Sequence, residues 1–136
     1  LSTTQSVSFT CMDSTGTGEE SCNATKLYAN IANDVQVNCG LFSCLYMEFN
    51  VTNAATANFS MTGYSAARHS VIYANNIQTR LYIVCTKSFA CSDMEIYANE
   101  MTQNGTGLNL KCKNSNYACK QTQVHCPQGN AYCDID

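Results

Sequence analysis

Cysteine is the residue type in this sequence with the clearest capacity for chemistry. The chain has 136 residues, of which ten are cysteines and two are histidines. Structural zinc sites usually combine two short C-x2–4-C pairs, or add histidine at a fixed spacing. Here four to ten residues separate the cysteines that pair most naturally. The spacing therefore favours disulfides over zinc, and disulfides indicate an oxidising, extracellular or secreted setting.

Nine of the ten cysteines fall into two rows of equivalent positions, and Cys133 follows them. Members of the first row precede an apolar residue by five positions and lie 22, 23, 24 and 28 residues apart; they are Cys22, Cys44, Ala67, Cys91 and Cys119, here called the anchor positions. Members of the second row end short segments with alternating apolar residues; they are Cys11, Cys39, Cys85, Cys112 and Cys126. A fixed period of this length indicates a repeat architecture.

The middle unit lacks both cysteines, because Met61 and Ala67 stand in their places. This joint loss favours a bridge from each second-row cysteine to the next cysteine downstream. Sequence alone does not fix connectivity, so pairs between different units remain open. Each local bridge would close a short loop and stabilise the fold by about 2 kcal/mol. The inferred pairs are Cys11–Cys22, Cys39–Cys44, Cys85–Cys91, Cys112–Cys119 and Cys126–Cys133.

The acidic residues do not form the pair of carboxylates that glycoside hydrolysis requires. Four places after the anchors stands a mixed row of Lys26, Glu48, Val71, Glu95 and Gln123. His69 and His125 have no nucleophile or metal ligand at a usable spacing, and the polar loop 13–20 does not follow EF-hand spacing. We therefore predict that the chain is not an enzyme and holds no metal or cofactor.

Two further rows suggest surface sites. N-glycosylation sequons begin at Asn23, Asn50, Asn58 and Asn104, and all four positions are predicted to be accessible to N-linked glycans. Six places after the anchors stand Tyr28, Asn50, Tyr73, Tyr97 and His125. The three tyrosines of this row would stabilise a sheet by stacking on like residues. Alternatively, they would bind a sugar chain or a neighbouring subunit.

Strands must position these residues. Apolar residues alternate before each second-row position, as in Val35 and Val37, and again after each anchor at places three, five and seven. In the last unit those three places are Thr122, Val124 and Cys126. A period of two is typical of a strand with one buried face. So short a unit buries its apolar face only when stacked on copies of itself.

The sequence thus predicts a single all-β domain over residues 1–136, a parallel β-solenoid of about five rungs with disulfide-bridged corners. Such a rod would be roughly 25 Å long. An antiparallel β-sandwich is the alternative, since it is also built from regular short strands.

The units follow the pattern C…C-x4-[LIF]-Y-A-N over nearly the whole chain, and its tail recurs as LYAN at 27–30, as VIYAN at 71–75 and at the end of CSDMEIYAN at 91–99. It resembles the right-handed parallel β-helix proteins of pectin-lyase-like architecture, and more narrowly the cysteine-cornered repeats of large secreted proteins in protists. The resemblance implies a fold and an extracellular setting, and it brings no catalytic residues.

These features together favour a structural function. Nothing in the sequence is typical of a capping helix, so the ends are predicted to stack head to tail into a homopolymer, such as a filament, a surface appendage or a coat. A carbohydrate-binding or adhesive module is the alternative, and a polysaccharide-active enzyme a third possibility. The absence of a basic run argues against nucleic acid as a partner, and no apolar run reaches the ~20 residues of a membrane span. Because the chain starts at Leu1, we expect a processed product or a segment of a longer precursor.

Overall fold

The computed structural model describes residues 5–11, 22–29, 33–101, 106–129 and 131–136. Within these ranges the chain forms β-strands and no helix. Odd-numbered strands have four to seven residues; they are β1 (Ser6–Cys11), β3 (Asp34–Cys39), β5 (Thr56–Met61), β7 (Arg80–Thr86), β9 (Gly107–Lys113) and β11 (Tyr132–Ile135). Even-numbered strands have three; they are β2 (Lys26–Tyr28), β4 (Glu48–Asn50), β6 (Val71–Tyr73), β8 (Glu95–Tyr97) and β10 (Gln123–His125).

The strands build two parallel sheets. The long strands form a sheet in the order β1-β3-β5-β7-β9-β11, here called the long sheet, and the short strands form a second sheet in the order β10-β8-β6-β4-β2, the short sheet. Each strand therefore pairs with its equivalent one coil further along the chain. Parallel neighbours need a crossover, and here the opposite sheet supplies it. The result is a β-solenoid of about five coils, as predicted from the repeat, and the antiparallel sandwich is excluded.

Register aligns equivalent side chains in columns. Cys39 pairs with Met61, and Met61 pairs with Cys85, so the methionine occupies the cysteine column of the middle coil as predicted. Inward residues of the central coils are fully buried between the sheets, and the rings of Phe49 and Phe59 meet edge to face at 5.3 Å. The columns predicted from the period of two are confirmed.

The disulfides join the five inferred pairs, with Cα atoms 5.6–6.2 Å apart. Four of them connect the last inward residue of a long strand to the anchor position that follows it. Cys126 fits both rows in the sequence, and the structure gives it the place seven residues after the anchor Cys119 rather than the end of a long strand. Cys126 follows the short strand β10, as Ala98 follows β8, and Cys133 pairs with Leu108 on the long sheet. The fifth bridge therefore links the two sheets at the last coil, because β10 is paired with β8 and only β11 continues the long sheet.

In the second to fifth coils, turns form a third side between the long and the short strand, here called the turn face. In the middle coil Ala66, Arg68 and Ser70 each donate a backbone hydrogen bond to the carbonyl three residues earlier, at 3.1–3.3 Å. The third residue of each turn has positive φ: 55° at Ser65, 57° at Ala67 and 60° at His69. Three successive turns of type II geometry result.

Neighbouring coils hold these left-handed residues in place. The N–H of Ser65 donates to Ser88 in the next coil at 3.0 Å, and the N–H of Ala67 donates to Ser43 in the preceding coil at 2.9 Å. Every anchor has φ between 56° and 62°, including the four cysteines there. A left-handed conformation at a residue other than glycine costs about 1–2 kcal/mol. Hydrogen bonds between coils and the disulfides offset that cost.

Candidate functional site

The predicted tyrosine row lies on the outer face of the short sheet. Register aligns Tyr28, Asn50, Tyr73, Tyr97 and His125 in one column. The rings of Tyr73 and Tyr97 stack at 5.2 Å and 9°, and those of Tyr97 and His125 at 4.5 Å and 3°. We call this column the tyrosine ladder. Its outward position agrees with the prediction, while binding by its members stays a prediction.

The carboxylate of Glu95 contacts two neighbouring members of the ladder, Tyr97 and His125. The Tyr97 hydroxyl donates to Oε1 of Glu95, and Nε2 of His125 lies 3.2 Å from the same oxygen. These hydrogen bonds hold the pKa of the Glu95 carboxyl below its ordinary value. The bond from Tyr97 has the larger effect and the bond from His125 the smaller one. The bond to Glu95 raises the pKa of the Tyr97 hydroxyl. This link between Glu95 and His125 was not predicted, although the two residues lie on neighbouring coils and only two strand positions apart.

The acidic residues of the same face are not adjacent. Glu48 shares the row of Glu95, but Val71 lies between them, so the two carboxylates are two coils apart. Glu48 instead lies 3.4 Å from the ammonium of Lys26, its neighbour in the same row. The prediction that the chain is not an enzyme stays a prediction.

Stacking decides which part of each ring faces solvent. Tyr97 has a ring against each of its faces, so mainly its edge is available to a ligand. Carbohydrate-binding aromatic side chains use the ring face, where the C–H groups of a sugar pack. Tyr28 is 59% exposed and has Asn50 as its column neighbour. Of the three predicted binding tyrosines, Tyr28 thus presents the most open ring.

A second aromatic column runs along the turn face. Phe42 and Tyr64 meet edge to face at 5.4 Å, Tyr64 and Phe89 at 5.8 Å, and Phe89 stacks on Tyr117 at 5.2 Å. Sequence reasoning missed this turn-face column. A signal was present, because the segments 41–44, 88–91 and 116–119 read LFSC, SFAC and NYAC, each with an aromatic residue two places before the anchor.

Basic side chains lie beside the turn-face column. The guanidinium of Arg68 is 5.6 Å from the ring centre of Phe89, and the ammonium of Lys120 is 5.5 Å from that of Tyr117. Arg68 also contacts Asp93 at 3.4 Å. Next to this ion pair, His69 stacks on Tyr46 at 4.9 Å and its Nδ1 is 3.8 Å from Asp93.

The sequons differ in what holds their asparagines. Asn50 and Asn58 lie on outward positions and are half-buried. The side-chain oxygen of Asn23 accepts a hydrogen bond from the N–H of Leu45 at 3.0 Å, and that of Asn50 accepts from Thr52 at 3.2 Å. Asn104 and the whole of the loop 13–20 lie outside the described residues. Glycosylation of all four stays a prediction.

Metal sites and membrane segments were also sought in the described ranges. They contain no group of three or more His, Cys, Asp or Glu that could hold a metal ion. Nor do they contain a helix with the length and apolar character needed to span a bilayer. Comparison with protein-family models, with curated proteins and with solved structures finds no match to this chain. The resemblance to pectin-lyase-like and protist repeat proteins therefore stays a prediction.

Proposed function

We propose that this chain is a structural subunit of an extracellular fibre, surface appendage or coat, assembled by end-to-end stacking of solenoids. The observation that supports this most is one inward column of the long sheet. It consists of Phe9, Val37, Phe59, Ile83, Leu110 and Ile135. Its four central members are at most 1% exposed, whereas Phe9 is half-buried and Ile135 is 53% exposed. A second copy stacked on the end would bury both terminal members.

The strand edges support the same contact. In the described part of the chain, β1 and β11 are the outermost strands of the long sheet, and each has one neighbour only. All strands of the sheet run parallel, so β11 of one copy and β1 of the next can pair with unchanged polarity. Such an edge is a template for another chain. A contact between two different surfaces repeats without closing, and this produces a filament.

The unequal numbers of long and short strands determine which sheet can form this junction. The described residues contain six long strands but five short ones. A copy whose β1 pairs with β11 therefore has its β2 two coils from β10, with one coil missing between the short sheets. We infer that the long sheet carries the junction.

Disulfides are consistent with this function. Five bridges fit a secreted or extracellular protein, and they fix corners that a thin rod has too little core to hold. The alternative, a carbohydrate-binding module based on the tyrosine ladder, has less support, because Tyr73, Tyr97 and His125 stack on one another and only Tyr28 presents an open ring within the described ladder.

Cysteine cross-linking in solution tests the junction. Ser8 and Asp134 are exposed and lie at opposite ends of one outward column of the long sheet. Mixing the single variants Ser8→Cys and Asp134→Cys under mild oxidation should give a disulfide-linked heterodimer. A mixture of Ser8→Cys with Asn58→Cys is the control, since Asn58 lies on a central strand of the long sheet, far from the proposed junction.

Negative-stain microscopy of the unmodified protein should show filaments. Equal cross-linking in both mixtures, or monomers alone at high concentration, would refute the proposal.

A further inference from the structure

Folding gathers basic residues that are dispersed in the sequence. Lys87 and Lys113 are neighbours on adjacent coils, because the N–H of Lys87 donates to the carbonyl of Lys113 at 3.4 Å. Next to them, the hydroxyls of Ser88 and Ser115 are 3.0 Å apart. The segments that lead into the turn face at residues 87 and 113 therefore run side by side, and they place two lysines at one corner.

Aromatic rings continue this surface. Phe89 and Tyr117 stack beside the two serines at 5.2 Å and 17°, and Lys120 places its ammonium 5.5 Å from the Tyr117 ring centre. Tyr117 is 50% exposed. One of its faces is against Phe89, and the ammonium of a flexible lysine lies over its ring. We call the surface of Lys87, Phe89, Lys113, Tyr117 and Lys120 the basic–aromatic patch.

The patch differs in charge from the rest of the molecule. Its three lysines are exposed, and within the described residues none of them forms an ion pair with a carboxylate. The whole chain has a formal net charge of −3. Three unpaired ammonium groups at one corner thus produce a local positive potential on an acidic protein. Such a potential attracts an anionic partner and excludes a cationic one.

We propose that the basic–aromatic patch binds an acidic polysaccharide, a chain that carries sulfate or uronate groups. One sugar ring packs on the outer face of Tyr117, where Lys120 turns aside to meet an acidic substituent. Lys87 and Lys113 contact acidic groups further along the chain. Hydroxyls of the sugar chain form hydrogen bonds with the hydroxyls of Ser88 and Ser115, which lie between the lysines and the rings.

Two observations favour a glycan over a nucleic acid as the anion. The disulfides fit an extracellular protein, and acidic polysaccharides are abundant polyanions outside cells. Proteins that bind single-stranded nucleic acid stack successive bases on several aromatic residues along a basic groove. The patch offers one ring face that no other ring covers, that of Tyr117, because Phe89 is covered by Tyr117 and approached by Tyr64 and Arg68. The proposal is independent of end-to-end assembly.

Binding measurements with immobilised protein test the patch. Dextran sulfate and polygalacturonate are the acidic probes, uncharged dextran is the neutral one, and a single-stranded oligonucleotide represents nucleic acid. The variant Lys87→Gln/Lys113→Gln removes two charges from the patch. Lys26→Gln/Arg80→Gln removes the same charge from other faces and is the matched control. Tyr117→Ala removes the open ring without changing the charge.

At least one acidic polysaccharide should bind in low salt, and uncharged dextran should not. The patch variant should bind that polysaccharide roughly tenfold more weakly, as expected for two exposed charge contacts. Its affinity should also depend less steeply on salt, whereas Tyr117→Ala should weaken binding and leave the salt dependence unchanged. Absence of binding, an equal loss in the matched control, or tighter binding of the oligonucleotide would overturn the proposal. Circular dichroism of each variant verifies that the fold is retained.

Discussion

Met61 and Ala67 occupy, in the middle coil, the two positions that a disulfide joins in the coils on either side. Met61 pairs with Cys39 and with Cys85, and Ala67 has the left-handed conformation of the neighbouring anchors, with φ of 57° against 62° at Cys44 and 59° at Cys91. Both residues are fully buried. The backbone therefore keeps the conformation of the bridged coils although neither residue has a thiol.

The double variant Met61→Cys/Ala67→Cys should form a sixth disulfide spontaneously. A bridge that closes so short a loop stabilises by about 2 kcal/mol, less the packing lost with the methionine side chain. Mass spectrometry of the intact chain should show the loss of two further hydrogens. The variant Met61→Ser/Ala67→Ser, which has a similar volume and cannot form the bridge, is the control in guanidinium unfolding. Two free thiols in the folded variant would contradict the expected geometry.

Ser70 and Ser92 form a natural pair for measuring the value of a buried hydroxyl. The Ser70 hydroxyl donates to the carbonyl of Cys44 at 2.6 Å and accepts from the N–H of Met47 at 3.0 Å. The Ser92 hydroxyl is equally buried, and within the described part of the chain it has no hydrogen-bond partner. Ser70→Ala should lower the free energy of unfolding by roughly 2 kcal/mol, because it leaves two buried backbone groups unsatisfied. Ser92→Ala should be neutral or stabilising. Chemical denaturation measures both, and an equal cost would show that the hydroxyl bonds do not decide the difference.

Gly63 is required by the close approach of two coils. A Cβ atom at this position would lie 2.1 Å from the backbone nitrogen of Leu41, and backbone atoms cannot move aside as a side chain can. Gly63→Ala should therefore destabilise the protein by roughly 2–3 kcal/mol. Thr62→Ala, at the exposed neighbouring residue, should change stability by less than about 0.5 kcal/mol. The melting temperatures of the two variants provide the comparison, and equal values would mean that the coils separate at low cost.

The columns of the solenoid were predictable because one period governs them. Alternation of apolar residues fixes which side of each strand is inward, and the joint substitution at Met61 and Ala67 indicates which cysteines pair. Cys126 could not be placed from the sequence, because it fits both an inward place after an anchor and the end of an alternating segment. The pairings of β10 with β8 and of β11 with β9, which are contacts between distant residues, separate these two possibilities.

The turn face could not be predicted from local preferences. Left-handed residues are normally indicated by glycine or asparagine, whereas here Ser65, Ala67 and His69 adopt that conformation. Their φ angles are fixed by hydrogen bonds to neighbouring coils, and these exist only after stacking. The basic–aromatic patch depends on the same stacking, since Lys87 and Lys113 are 26 positions apart in the sequence.

Glu95 should make stability depend on pH in acid solution. Its folded-state pKa lies below the ordinary value, because the carboxylate accepts hydrogen bonds from Tyr97 and His125. The folded state therefore binds a proton less readily than the unfolded state. The stabilisation is complete above the unfolded pKa and is lost as the pH falls through the folded one. Tyr97 has the opposite sign: its pKa is raised, so its contribution is lost as the pH rises through the folded value.

Glu95→Gln should accordingly flatten the decline of stability as the pH falls below the ordinary pKa of a glutamate. Glu100→Gln, which removes the same charge from an exposed turn residue, should leave the slope of the wild type unchanged. Urea unfolding at a series of pH values measures both slopes. Because the hydroxyl of Tyr97 is the first cause of the shift, Tyr97→Phe should reproduce part of the Glu95→Gln effect while retaining the stacked rings. Parallel slopes for wild type and Glu95→Gln would contradict this expectation, because they would show that the two hydrogen bonds do not favour the charged form of Glu95.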